Sequence, residues 1–298
     1  MRPPIISLAR TNHPIRSVYV FGQRNSGTNY VNALIHNNLL TYGDHRPLYD
    51  PRDEKDFGWK HGFPNLMVSP DDVLAVVVYR DPIAWLQSLH HMPWHAVPSM
   101  RGLSFSEFIR AEWISVVDDL GFGVTPESPL WGSEILAERD PKTRKRFSNA
   151  IHMRNAKIAS FRNLHSSFEN CLHLRYEDVL ANPKALLVFL ASVFGLARRS
   201  HFDPVIYDRG RKVRGLYAPR PIDPINTSDM DFIRAELDQG QEKRLGYTLP
   251  NTQTAVQLRI MAGSNGEIDA PSSNVGGVRS LMKQNAAIVS PPTHAPEM

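Results

Sequence analysis

Gly22 and Gly27 enclose four residues, Gln23, Arg24, Asn25 and Ser26, and Thr28 and Asn29 follow directly. Two glycines at this spacing let a backbone turn tightly enough for successive N–H groups to converge on one anion. Ser26 and Thr28 add hydroxyl donors and Arg24 adds charge. A helix starting beyond them would bring the positive end of its dipole to the same point. A nucleotide kinase loop of the form G-x-x-x-x-G-K-[ST] carries lysine for the β/γ-phosphates and a hydroxyl for magnesium. Here Thr28 and Asn29 occupy those two positions. The loop is therefore expected to hold a phosphate-like anion without magnesium, and a kinase or ATPase is disfavoured. On this segment alone, an ordinary strand-to-helix turn built of small residues is the competing reading.

Arg80 ends the apolar run VLAVVVYR, Pro82 suits the first position of a helix, and Ser88 lies eight residues after Arg80. Arginine at the carboxyl end of a strand offers a planar fork to a phosphate. The alternative is a surface ion pair with Asp81 and a solvated serine. His90, His91 and His95 crowd the run HHMPWH, which invites a metal, but no carboxylate or cysteine in the run completes a ligand set, and no metal is expected.

The elements that would position these residues alternate. SVYVFG (17–22) and VLAVVVYR (73–80) read as strands buried on both faces, and CLHLRYED (171–178) as a third. A helical period follows each: Val31, Leu34, Ile35 and Leu39; Ile83, Leu86 and Leu89; then Leu186, Leu187, Leu190 and Phe194, with Asn182 as cap, Pro183 at the first turn and Gly195 at the end. A longer helix is expected over about 143–168, with Phe147, Ile151, Ile158, Phe161 and Leu164 on one face. Strands alternating with helices predict an α/β fold with a central parallel sheet flanked by helices and ligands at the carboxyl ends of the strands.

The 298 residues carry a formal net charge of +4, with 42% hydrophobic and 21% charged residues. That is ordinary for a soluble globular chain, and the mild basic excess suits an anionic ligand. No interleaved aromatic and basic stripe points to nucleic acid. The single cysteine, Cys171, excludes an intrachain disulfide. The first residues lack the apolar run of a signal peptide, and the longest apolar stretches are too short to span a bilayer, so a cytoplasmic chain with no integral membrane segment is expected. Beyond residue 249 the composition turns to Gly, Ser, Asn and Pro. The expected organisation is an α/β domain over 12–249 and a low-complexity, disordered tail over 250–298.

Taken together, VFGQRNSGTNYV, YRDPIAWLQS, LRYEDVLANPKALLVFLASVFGL and the ending FIRAELDQGQEKRLGY resemble the sulfotransferases that use 3′-phosphoadenosine 5′-phosphosulfate (PAPS), over most of residues 17–249. The resemblance implies a three-layer P-loop-like fold and transfer of a sulfuryl group to an acceptor hydroxyl on a small molecule, a saccharide or a glycolipid, with PAPS as co-substrate and no metal. It implies that Arg24, Asn25, Ser26, Gly27, Thr28 and Asn29 cradle the 5′-phosphosulfate, that Arg80 and Ser88 hold the 3′-phosphate, and that Tyr176 lies near the adenine. The basic run DRGRKVRG would close over the 3′-phosphate through Arg211, Lys212, Arg214 and Gly215; a solvated basic loop is the alternative. GWKHGFP (58–64) is similar to the family's K-x-H-x-P segment, with Lys60 and His61 adjacent, and implies Lys60, His61 and Arg24 as catalytic groups. A neutral imidazole could take the acceptor's proton, and a cation could offset charge on the leaving oxygen. His61 bonded to a backbone carbonyl in a plain loop is the competing reading, and His90, His91 and His95 are rival bases. The family carries lysine or arginine where this chain has Asn25, so either Arg24 or a nearby cation such as Lys60 supplies that charge, or the chain is a weak catalyst. The residues 92–142, with Trp94, Trp113 and Trp131, are expected on the acceptor side. A non-catalytic PAP- or anion-binding module is the second reading, and a P-loop kinase the third.

Overall fold

In chain order the strands are β1 (Ile5–Ala9), β2 (Ser17–Phe21), β3 (Leu39–Leu40), β4 (Val73–Tyr79), β5 (Asn170–Arg175), β6 (Ala197–Arg198), β7 (Tyr207–Asp208) and β8 (Val213–Arg214). The computed structural model of the chain describes residues 5–41, 43, 45–48, 58–64, 71–208, 213–214 and 217–249. β1, β5, β4 and β2, in that spatial order, form the central sheet; β3–β6 and β7–β8 are separate two-stranded ladders.

β2 and β4 are buried along their whole length, and β5 along all but Arg175. Their side chains alternate between two cores, as the period of two demands. Val18, Val20, Leu74, Val76, Val78, Leu172 and Leu174 face one core. Tyr19, Phe21, Val73, Ala75, Val77, Tyr79 and Cys171 face the other. α1 (Thr28–Asn38) and α6 (Pro183–Phe194) close the first face through Val31, Leu34, Ile35, Leu186, Leu190 and Phe194. α4 (Ala150–Arg162) closes the second through Ile158 and Phe161. A third core packs α2 (Pro82–His91), α3 (Phe105–Arg110), α4 and α7 (Thr227–Glu236) around Trp85, Phe108, Trp113 and Ile233. Two short helices, α5 (Tyr176–Ala181) and α8 (Gln239–Arg244), complete the set.

The sheet is mixed, which corrects the expectation of a purely parallel one. β2, β4 and β5 run parallel, whereas β1 pairs antiparallel with β5, from Ile5 opposite Leu174 to Ala9 opposite Cys171. β1 precedes residue 12, where the domain was expected to begin. It is a five-residue edge strand, IISLA, paired on one side only and with none of its residues fully buried. The third strand ends at Arg175, and Tyr176 opens a helix with Glu177 and Asp178 in its first turn, where the dipole favours acids. The long helix starts at Ala150 because the Asn149 side chain caps it, accepting from the His152 N–H at 2.8 Å. Among the described residues no helix is long and apolar enough to cross a membrane. The expected tail, 250–298, lies outside the described residues.

Candidate functional site

Parallel pairing of β2, β4 and β5 puts three carboxyl ends on one edge of the sheet. Phe21 pairs with Val77, and Tyr79 pairs with Arg175. The residues that follow, Gly22, Arg80 and Tyr176, therefore emerge together. This is where ligands bind in open α/β sheets.

The loop from Gly22 to Gly27 is held in an unusual backbone path. Asn25 has φ 63° and Gly27 has φ 94°, both in the left-handed region. Gly27 is required twice over. It takes that φ, and a Cβ there would lie 2.2 Å from the Tyr176 ring. Gly27 is also the N-cap of α1, so no side chain caps this helix, and its first turn carries no acid. The leading N–H groups of a helix have no intrahelical acceptor, and here none is supplied by a cap. Ser26 and Arg80 are buried, yet Ser26 Oγ and Arg80 Nε have no hydrogen-bond partner among the described residues.

The loop is tied to α2 and to the residues just after it. Arg80 Nη1 donates to the Asn25 carbonyl at 2.9 Å, and Asn25 Nδ2 donates to the Ser88 carbonyl at 2.6 Å and the Met92 carbonyl at 3.1 Å. Arg80 and Ser88, eight residues apart, are thus brought to the same residue. Trp85, fully buried in α2, donates from Nε1 to the Arg24 carbonyl at 2.8 Å. The Arg80 guanidinium lies 5.1 Å from the centre of the Tyr176 ring. Among the described residues no carboxylate pairs with it.

Arg24 takes a different path from the rest of the loop. Its guanidinium turns away into a buried charge cluster, where Glu138 accepts from Arg24, Lys157, Ser115 and the Trp113 indole. Glu138 is 3% exposed, Arg24 3% and Lys157 0%, so this is a carboxylate between two cations in the dry interior. Burial alone would raise the Glu138 pKa; Arg24 and Lys157 outweigh it and hold the carboxyl well below its usual range. Arg24 also donates to the Trp94 carbonyl at 2.7 Å. A second buried pair supports the loop from beneath. Arg154 grips Glu242 at 2.6 and 2.8 Å and donates to the Arg80 carbonyl at 2.8 Å.

Lys60 and His61 both stand against the loop. Lys60 Nζ donates to Asn29 Oδ1 at 2.9 Å, in the first turn of α1. The Lys60 carbonyl accepts from the Gly22 N–H at 3.1 Å, and His61 Nδ1 donates to the Gly22 carbonyl at 2.7 Å. His61 is therefore bonded to a backbone carbonyl, as the competing reading had it, and that carbonyl belongs to the loop itself. Burial first, then Lys60, Arg24 and Lys157, depress its pKa well below the usual value, with the Gly22 carbonyl opposing. The ring stays neutral at pH 7, with Nδ1 protonated and Nε2 carrying the lone pair. Trp59 packs edge-on against both His61 and His95, at 5.7 and 5.8 Å between centroids.

Tyr176 is buried under Gly27, and its hydroxyl meets that of Tyr217. Tyr30 lies 4.7 Å from Tyr217, so three tyrosines cluster beside the first turn of α1. Arg211, Lys212 and Gly215 lie outside the described residues, and Arg214 belongs to β8 opposite Tyr207. Of the tryptophans expected on the acceptor side, Trp113 is core, whereas Trp94 is 45% exposed. His90 is drawn off to the Leu103 carbonyl at 2.9 Å. Among the described residues the one group of three potential metal ligands is His165, Cys171 and His173. Its two imidazoles stack at 4.2 Å with 17° between planes.

No protein-family model, curated protein or solved structure matches the chain.

Glu138, Arg154, Lys157 and Asp118 escaped the sequence reading. Arg154 and Lys157 carried a signal, because they fall on the same helical face as Ile151 and Ile158. A charge on an apolar face asks for a buried partner. Glu138 ends a three-residue 3-10 turn, Leu136–Glu138, and Asp118 sits in irregular chain, both too short of regular structure for a period to mark burial.

Proposed function

We propose that the chain is a sulfotransferase of P-loop-like architecture, moving the sulfuryl group of PAPS to an acceptor hydroxyl by in-line displacement. The reading rests on the resemblance of its motifs and on one observation above the others. Arg80 is a buried guanidinium with no carboxylate partner among the described residues, beside the uncapped N-terminus of an eleven-residue helix. A buried cation without counter-charge is costly, and an anion seated there would offset that cost. The shape of the loop suits a phosphosulfate that needs no magnesium, since Thr28 and Asn29 replace the lysine and hydroxyl of a kinase loop. In this scheme the N–H groups of Arg24 to Asn29 hold the 5′-phosphosulfate, and Arg80 with Ser88 holds the 3′-phosphate. Tyr176 and its neighbours flank the nucleotide. Lys60, already at the first turn of α1, supplies the positive charge that the leaving oxygen needs. Arg24 contributes its backbone, because its side chain is held by Glu138. The acceptor loses its proton to a neutral histidine at the edge of the loop. Sulfuryl transfer, like phosphoryl transfer, asks mainly for positioning and charge stabilisation.

A second reading is favoured by the side chains of Arg24 and Asn25. Both are engaged elsewhere, Arg24 with Glu138 and Asn25 with carbonyls of Ser88 and Met92. A protein that binds PAP and never turns PAPS over would have that character.

Thermal denaturation with PAP and with ATP–magnesium tests the first reading. At a hundredfold excess over Kd, PAP should stabilise the fold by about 2.7 kcal/mol, or roughly 5–10 °C for a domain of this size. Arg80→Ala should abolish that shift. Stabilisation by ATP–magnesium and not by PAP would sink the proposal.

A further inference from the structure

His95 has features that a surface histidine does not need. Its backbone is in the left-handed region, φ 60°, which a non-glycine residue adopts only where its surroundings hold it there. The surroundings are explicit. The His95 carbonyl accepts from the Val116 N–H at 2.7 Å, and the Ala96 N–H donates to the Pro93 carbonyl at 3.0 Å. Its ring is held as firmly. His95 Nδ1 donates to Asp118 Oδ1 at 2.6 Å, and the other oxygen of Asp118 is taken by Arg101. Arg101 in turn donates from Nε to the Ala96 carbonyl at 2.9 Å. Trp59 and Phe122 pack edge-on against the imidazole, at 5.8 and 4.9 Å. With Nδ1 protonated toward Asp118, the lone pair is on Nε2, which has no partner among the described residues, and the His95 side chain is 13% exposed.

This histidine is laced to the anion loop. Asn25 donates to the Met92 carbonyl and Arg24 donates to the Trp94 carbonyl, one residue before His95. The His61 ring, bonded to Gly22, also packs edge-on against Trp59. Two neutral histidines thus contact one indole beside the loop. Their charged neighbours differ. Lys60, Arg24 and Lys157 face His61, and each opposes a positive imidazolium. His95 faces Arg24 too, but also Asp118 and Asp119, which stabilise the protonated ring. A base must hold the proton that it takes, and among the described residues only His95 of the two has a carboxylate to help it do so.

We propose that His95, oriented by Asp118, is the catalytic base for the acceptor hydroxyl, while His61 stays neutral and positions the loop through Gly22. This rests on the transferase reading above. In the step, the acceptor O–H gives its proton to His95 Nε2 as its oxygen bonds to sulfur. The bond from sulfur to the bridging oxygen breaks, and its electron pair leaves with the 5′-phosphate of PAP. Asp118 keeps its charge and balances the imidazolium. Phe122 and Trp59 form the walls along which the acceptor approaches.

The test uses the full chain, labelled PAPS, and p-nitrophenol or water as acceptor, with PAP affinity measured by calorimetry. His95→Gly is the variant of choice because glycine accepts the left-handed φ, so the fold is retained, and a thermal melt checks this. His95→Gly and Asp118→Asn should bind PAP within about threefold of the parent and lower kcat on the order of 10²-fold or more, with KM for PAPS unchanged. Added imidazole should restore part of the turnover of His95→Gly, which a merely structural role would not allow. Full turnover in His95→Gly, or no rescue by imidazole, overturns the dyad and leaves the transferase reading standing. A parent protein that binds PAP and consumes no PAPS overturns both the dyad and transfer, leaving a nucleotide-binding module. A parent that binds no PAP overturns the whole scheme.

Discussion

Replacing Glu138 by glutamine removes one negative charge from the driest part of the site and changes almost no volume. In the parent, that carboxylate accepts from Arg24, Lys157, Ser115 and Trp113, and neither cation pairs with another carboxylate among the described residues. After the change two cations, 3% and 0% exposed, share a neutral amide, and the amide's own N–H groups face other donors. Breaking a buried ion pair in this way typically costs about 3–5 kcal/mol. With roughly 2–4 °C lost per kcal/mol in a domain of this size, the melting temperature should fall by about 6–20 °C. The direction with pH is also determined. Burial already lowers the Lys157 pKa, with Glu138 opposing it. Without Glu138 the pKa falls further, so the folded variant binds fewer protons than its unfolded chain over a wider alkaline window. Where the unfolded state binds more protons, stability rises with pH. The penalty of Glu138→Gln should therefore be larger at pH 6 than at pH 9, read as the difference in urea midpoints between parent and variant. Adding Lys157→Met should restore much of the loss, because it removes one unpartnered cation and leaves an apolar side chain in its place. A variant whose midpoint matches the parent at both pH values would refute this account of the cluster.

Two further outcomes can be measured on the apo protein. Gly27→Ala must place a Cβ 2.2 Å from the Tyr176 ring at φ 94°, so strain and overpacking together should cost about 2–5 kcal/mol in chemical denaturation; a loss under about 0.5 kcal/mol would show that the tyrosine moves freely. His61 has a folded pKa far below its unfolded value, so the unfolded chain takes up the proton first as pH falls through about 6.5. The stability from that neutral ring is present above pH 6.5 and declines below it, and in His61→Gln the slope of stability between pH 7 and 5 should be shallower; an unchanged slope would place the titrating group elsewhere.

The local order of elements was legible because it is written in short-range patterns. The runs at Val18 and Val73 alternate between two cores, so they read as strands buried on both faces. Asn182 and Pro183 marked a helix start that the structure keeps, with the Asn182 side chain accepting from the Ala185 N–H. Gly22 and Gly27 announced a tight turn, and one of them is demanded by both φ and the Tyr176 ring. Which side chains share the site was decided by tertiary structure. Parallel register brought Gly22, Arg80 and Tyr176 to one edge although more than ninety residues separate the last two. Arg24 read as a ligand for an anion, since its neighbours and spacing gave no hint of Glu138, 114 residues away. His95 and Asp118, 23 residues apart, met only because the Ala96–Ser115 bridge folds that segment back. Turn residues and apolar periodicity are set by neighbours within a few residues, whereas a charge finds its partner through the whole fold.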